Sequence, residues 1–312
     1  MKYASIIMKK KSMKKINQIY DYAGLFFLSA IWGSSFLFIK LSVDTIPPYF
    51  LTFFRLLIAS IVLSIFFKLS TNHLIFQKKN LWKMFFIALV GNFIPFNLIS
   101  WSELYVESVV ASTLIGTMPL FTCIIAHFSK TGEKTNLFVF FGLFLGLFGI
   151  ISLFDFPSKN FLSNNNFMNL IILFSAFCYA LSANCVKSVG DLSSLQVATS
   201  STIYATILSC ISLPIILCNH DNSLSELITS ISLKSLFASL MLGILCTATA
   251  IIIFFYLIKK KGAVFASQSN FLIPCFGILW SYLFLDEDIS KQIILGLIVI
   301  LFGLYFVHKG RN

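Results

Sequence analysis

The sequence predicts an all-α polytopic membrane protein of about ten transmembrane helices in two inverted five-helix repeats, and three observations carry that prediction. The 312 residues are 58% hydrophobic and only 11% charged, with a mean hydropathy of +0.90, far from the balance of a soluble globular chain. Apolar stretches recur from Tyr22 to Val307 with short polar breaks, and roughly 20 such residues suffice for a helix to cross the hydrocarbon. The break between Phe154 and Met168 leaves five stretches on either side.

In chain order, helical spans are expected near 22–40, 50–68, 81–101, 108–128, 136–154, 168–187, 195–217, 235–258, 263–285 and 290–308. Barrel strands would alternate polar and apolar residues over about ten positions, and runs such as LFVFFGLFLGLFGIISLF do not alternate. The opening MKYASIIMKKKSMKK resembles the charged region of a signal peptide. No small-residue cleavage site follows it, so the first span is expected to be retained. Met1, Met8 and Met13 are alternative starts.

The domain plan that results is a basic cytoplasmic segment over 1–21, a first repeat over 22–154, an extracytoplasmic loop over 155–167, a second repeat over 168–308 and a cytoplasmic C-terminus over 309–312. Charge fixes the orientation. With both termini inside, the cytoplasmic breaks gather Lys9, Lys10, Lys11, Lys78, Lys79, Lys83, Lys259, Lys260, Lys261 and Lys309 among others, while the opposite side holds only Lys40, Lys159, Lys234 and Lys291.

The formal charge of +11 is explained by these helix-end lysines and does not form the contiguous basic surface that nucleic acid requires. Seven cysteines lie in apolar stretches without a CxxC or Cys/His cluster, giving neither a disulfide framework nor a zinc pattern. His73, His127, His220 and His308 have no spacing for a metal site or a nucleophilic triad. No metal, cofactor or enzyme activity is therefore expected. The glycines of GLFLGLFG (142–149) form a close-packing face, which can pack within one chain or join two copies in a homodimer.

Placing WSELYVESVVASTLIGTMPLF (101–121) over YLIKKKGAVFASQSNFLIPCF (256–276) pairs Ala111-Ser112 with Ala266-Ser267, Pro119 with Pro274 and Phe121 with Phe276 at one offset of 155. Likewise SAIWGSSFLFIK (29–40) lies over SAFCYALSANCVK (175–187), pairing Trp32 with Tyr179. Each half has an odd number of spans, so the second must enter the membrane upside down, a recurrent plan of secondary transporters with substrate bound near the midplane.

With AIWGSSFLFIK in the first span, FFRLLIAS in the second, ASTLIGTMPLFTCIIA in the fourth and KKKGAVFASQSNFLIPCFGILWSYLFLDEDIS across the ninth, the chain resembles the EamA type of the drug/metabolite transporter superfamily. SKTGEKT after the fourth span departs from that pattern, keeping only Gly132-Glu133 of its acidic stretch. The resemblance implies transport of amino acids or related metabolites, often outward, or of a nucleoside-like solute such as S-adenosylmethionine.

Polar side chains at membrane depth should face the interior, either bonding between helices or lining a cavity. Asn92, Asn97, Asn184, Thr247, Gln268 and Asn270 are the candidates, with Trp32 and Tyr179 at mid-helix and Trp101 and Tyr256 at helix ends adding hydrogen-bonding edges. Trp101 and Tyr256 could equally anchor the interface. Pro95, Pro119 and Pro274 should kink their helices and weaken the carbonyls of Gly91, Ile115 and Asn270. Arg55 is the one intramembrane cation. It is expected near the outer end, paired with Glu103, Glu107 or Asp44 or snorkelling, with reception of a substrate carboxylate as the alternative. No acid falls in mid-span, which favours facilitated movement or exchange over proton coupling and leaves Glu103 as the one candidate coupling group. The expected partners are a small-molecule substrate and the lipid bilayer; the rival class is a non-transporting membrane scaffold.

Overall fold

In hydrocarbon each backbone polar group needs an internal partner, and helices supply one locally. The structure, a computed structural model, describes residues 2–71, 76–128, 136–152, 164–217, 231–287 and 289–310, and among these residues all regular structure is helical. In chain order the helical segments are α1 (Lys2–Val43), α2 (Pro48–Ser70), α3 (Lys78–Ser102), α4 (Ser108–Phe128), α5 (Leu137–Ile151), α6 (Asn164–Lys187), α7 (Ser194–Leu217), α8 (Leu233–Lys261), α9 (Ala263–Phe284) and α10 (Lys291–Lys309).

Among the described residues eight helices are long and apolar enough to cross a membrane, the apolar part of α1 being Ile19–Val43. Two more hold shorter apolar stretches, Leu137–Gly146 and Lys291–Val307, so eight of the about ten expected spans are shown. The basic segment ahead of the first span is helical and continuous with α1. Residues 153–163 of the expected central break, Cys218, His73, His220 and residues 311–312 lie outside the described residues.

Local chemistry sets the boundaries. Pro47-Pro48 opens α2 where the missing N–H costs nothing. Ser232 caps α8 by accepting from the Ser235 amide at 3.1 Å. Gly262, at φ 100°, separates α8 from α9 with a backbone angle other residues rarely adopt.

The packing repeats itself when α1–α5 are exchanged for α6–α10. Helix α1 packs on α8 and α9, as α6 does on α3 and α4; α2 packs on α7 and α8, as α7 does on α2 and α3; α5 runs along α10. The α5–α10 seam is built on glycine. A Cβ on Gly303 would lie 2.6 Å from the Gly142 carbonyl oxygen and 2.6 Å from the Gly146 nitrogen, so the glycine face is used between two helices of one chain.

Four helices are broken in their middles. Helix α3 contains a π-turn at Leu89–Phe93 and α8 one at Leu242–Thr249; α4 turns at 116–117 and α9 has a 3-10 turn at Gln268–Phe271. Pro95, Pro119 and Pro274 each follow one of these breaks, as residues must that lack an N–H and crowd the carbonyl four positions earlier. Pro214, by contrast, sits inside α7 without interrupting it.

Candidate functional site

The broken helices meet around a central cavity. A Cβ on Gly116 would come within 2.6 Å of Pro274 Cγ, which brings the breaks of α4 and α9 together. The two π-turns lie at matching positions, since the 155-residue offset that pairs Pro119 with Pro274 also pairs Asn92 with Thr247. A π-turn adds one residue to a helical turn and re-aims the side chains beside it, which is why such turns gather at functional sites.

The cavity lies between side chains of α1, α2, α3, α4, α6, α8 and α9, the kind of place in a helical bundle where small-molecule sites occur. It lies at mid-height of α1, whose Trp32, Ser35, Phe36 and Ile39 form one wall. Trp32 is held from two sides: its indole Nε1 donates to the Cys246 carbonyl at 3.2 Å, and its ring meets Phe254 edge-on at 4.8 Å between centroids. Tyr179 faces the cavity from α6 and packs edge-on against Phe96. The two aromatics paired by the internal repeat therefore share one site.

Of the other expected cavity residues, Asn92 and Asn270 line the site. The Asn270 amide donates to the Ser267 carbonyl at 3.1 Å, which ties it to the turn of α9. Thr247 stands behind the wall, accepting from Arg55 Nε at 2.7 Å while donating to the Leu242 carbonyl at 2.7 Å. The remaining five do not line the cavity. Asn97 donates back to the Phe93 carbonyl of its own helix at 2.8 Å, and Asn184 likewise to Ala180 at 2.9 Å. Gln268 lies in the 3-10 turn of α9, away from the site. Trp101 is 39% and Tyr256 49% exposed, the behaviour of interface anchors.

Arg55 departs from its expected place. It neither snorkels nor pairs with Glu103, Glu107 or Asp44: it is 4% exposed, lines the cavity and enters none of the ion pairs among the described residues. Its guanidinium carbon lies 3.7 Å from the Phe96 ring centroid, a cation–π contact that partly replaces lost hydration. Ser182 and Cys246, also on the cavity wall, carry no sequence signal that would have picked them out.

Each end of the bundle is tied by contacts between the halves. At the α3–α4 end, Glu287 spans from the α9–α10 connection to accept from the Ser108 and Val109 amides at 2.9 and 3.1 Å, clamping the N-terminus of α4. Beside it Glu103 is fully buried: one carboxyl oxygen accepts from the Ser108 hydroxyl at 3.1 Å and the other has no partner. Burial pushes its carboxyl well above the usual carboxylate range, against the opposing effects of Lys40 and the Ser108 bond. Lys40 itself donates to the carbonyls of Glu103 and Val106 at 2.7 and 3.0 Å. At the opposite end buried Asp21 of α1 pairs with Lys260 at 2.5 Å and Lys261 at 3.2 Å on α8, and within the second half Lys259 donates to the Val189 carbonyl.

Among the described residues no group of acids, histidines and cysteines could hold a metal ion. The arrangement can bind and sequester a small solute.

The model of the EamA-like transporter family matches twice, over residues 22–154 and 166–308. An uncharacterized transporter of Buchnera aphidicola subsp. Schizaphis graminum is 30% identical over 265 residues, covering 83% of this chain and 85% of its own. The uncharacterized transporter YoaV of Bacillus subtilis strain 168 is 25% identical across 90% of this chain and 94% of its own. YedA of Escherichia coli K12, an uncharacterized inner membrane transporter, is 26% identical across 93% and 91%. A solved crystal structure superposes with a TM-score of 0.69 over 94% of this chain and 99% of its own at 15% identity, a likeness of fold alone.

Proposed function

The chain belongs to the EamA-like transporter family and is a multi-pass membrane transporter, and from that premise we propose that it carries a small polar metabolite across the bacterial inner membrane by alternating access. The two five-helix halves are inverted repeats with both termini cytoplasmic, and they rock about the central cavity so that it opens first to one side and then to the other. The observation that carries this reading is the cavity itself: Trp32, Arg55 and Asn92 from one half and Tyr179, Cys246 and Asn270 from the other line one space at mid-height. Inverted-repeat transporters place their substrate site in that position, with discontinuous helices around it. The broken helices α3, α4, α8 and α9 supply that discontinuity.

Amino acids or related compounds, moved by efflux or exchange, are the substrates this reading favours. S-adenosylmethionine, a cation, fits less well beside Arg55, since no acidic side chain among the described residues lines the cavity. The absence of an acid from the lining also supports exchange over direct proton coupling.

The test is counterflow in proteoliposomes with a panel of labelled amino acids, nucleosides and S-adenosylmethionine, loaded with and without counter-substrate. Asn92→Leu should abolish exchange because Asn92 lines the cavity, whereas Gln268→Leu should keep most of it because Gln268 does not. Equal retention in both variants would favour a scaffold.

A further inference from the structure

The central cavity contains a cation without a counter-ion. Nε of Arg55 is spent on Thr247 Oγ1 and one face of the guanidinium lies over Phe96. Its two terminal nitrogens donate to no acceptor among the described residues, and no carboxylate there lies within ion-pair distance. A guanidinium presents five donors in a fixed fork and stays charged at any accessible pH. Burying that charge unpaired is costly, so a resident arginine of this kind is kept for something that completes it.

A second unpaired donor lies beside it in the cavity wall. Asn92 is 2% exposed, its side-chain nitrogen has no partner, and it lines the cavity with Arg55. Both groups are set by the matching π-turns. The turn in α3 carries Asn92, and the turn in α8 places Thr247 so that its hydroxyl oxygen accepts from Arg55 Nε while its O–H donates to the Leu242 carbonyl. Two unpaired donors, one of them on a side chain held by Thr247, ask for an acceptor. Glu103, whose charge acts on Arg55 through space, accepts from Ser108 instead and stands outside the cavity lining. The rest of the wall is mainly apolar, with Phe36, Ile115, Met118, Phe254 and Phe255 contributing.

We propose that the cavity is a receptor for an organic monocarboxylate with an apolar or aromatic body, the carboxylate held by the terminal nitrogens of Arg55 and by the Asn92 amide. This rests on reading the cavity as the transport site. Two parallel N–H···O bonds from a guanidinium suit a carboxylate's two oxygens, and the aromatic wall takes the body.

Binding to the purified full-length protein tests this with matched probes: 3-phenylpropionate, hexanoate and phenylalanine, each against its own carboxamide. At least one acid should bind about tenfold or more tightly than its amide, the ratio expected from hydrogen bonds to a charged group. Arg55→Gln should erase that preference, and Arg55→Lys, which keeps the charge but not the fork, should retain part of it. In the absence of ligand, Arg55→Gln should melt no lower than wild type, because it removes an unpaired buried charge. The proposal is overturned if no acid is preferred over its amide in wild type, if none binds, or if Arg55→Gln keeps the preference. Counterflow separates the two readings: acid binding without movement would keep the receptor and defeat transport, whereas exchange of neutral solutes untouched by Arg55→Gln would keep transport and defeat the receptor.

Discussion

Removing the Glu287 carboxylate should loosen the tie between the halves at the α3–α4 end, and the loss can be read at two named amides. Glu287 accepts from the Ser108 and Val109 N–H groups at 2.9 and 3.1 Å, donors that a helix N-terminus leaves without intrahelical partners. Hydrogen bonds to a charged acceptor contribute about 1.5–3 kcal/mol each when well shielded. Glu287 is only half-buried, so we take about 2 kcal/mol for the pair together, which corresponds to roughly a 30-fold change in an opening equilibrium. Hydrogen exchange of the Ser108 and Val109 amides in Glu287→Ala should accelerate by about that factor. Glu287→Gln, which retains one good acceptor, should fall between. Exchange in mid-α2, which Glu287 does not touch, should be unchanged. Unaltered protection at Ser108 and Val109 in a folded Glu287→Ala protein would refute the reasoning.

Two further outcomes follow from packing and charge. Gly303→Leu should split the α5–α10 seam, because its Cβ would sit 2.6 Å from backbone atoms of Gly142 and Gly146 that cannot move aside. A cost of about 1–3 kcal/mol is expected for such overpacking; melting of the purified protein checks it, and an unchanged midpoint would show that the seam yields. Glu103 has its pKa raised by burial, so the folded state holds a proton that the unfolded state releases above about pH 4.3. The stability this contributes is fully present below that unfolded value and is lost as pH rises through the higher folded value. Glu103→Gln, a mimic of the protonated acid, should therefore match wild type in acid and exceed it progressively toward alkaline pH, and a difference constant with pH would rule this out.

The helical plan was legible because hydropathy reports span length directly, and the shared site of Trp32 and Tyr179 was legible because the internal repeat pairs them. The π-turns were not: they are a property of backbone pairing, and LVGNF or LGILCTAT reads as ordinary apolar helix. Arg55 was misplaced because sequence gives depth and not neighbours. It stands seven residues inside α2 from Pro48, about 10 Å along the axis, where lateral packing against Phe96 and Thr247 decides its surroundings. The same limit hid the Asp21–Lys260 pair, whose members are 239 residues apart. Gln268 and Tyr256 show the converse: polarity marked the one for the cavity and the repeat pairing with Trp101 marked the other, and neither lines it.

The most direct test of a central site open alternately to both sides uses Ser182, which lines the cavity and is buried from the bundle surface. In a protein whose seven cysteines are replaced, Ser182→Cys introduces one near-isosteric thiol. In oriented proteoliposomes a membrane-impermeant thiol reagent should modify it from either face, anionic reagents faster than cationic ones because Arg55 shares the cavity, and counter-substrate should protect it. Modification from one face only, or from neither, would contradict alternating access.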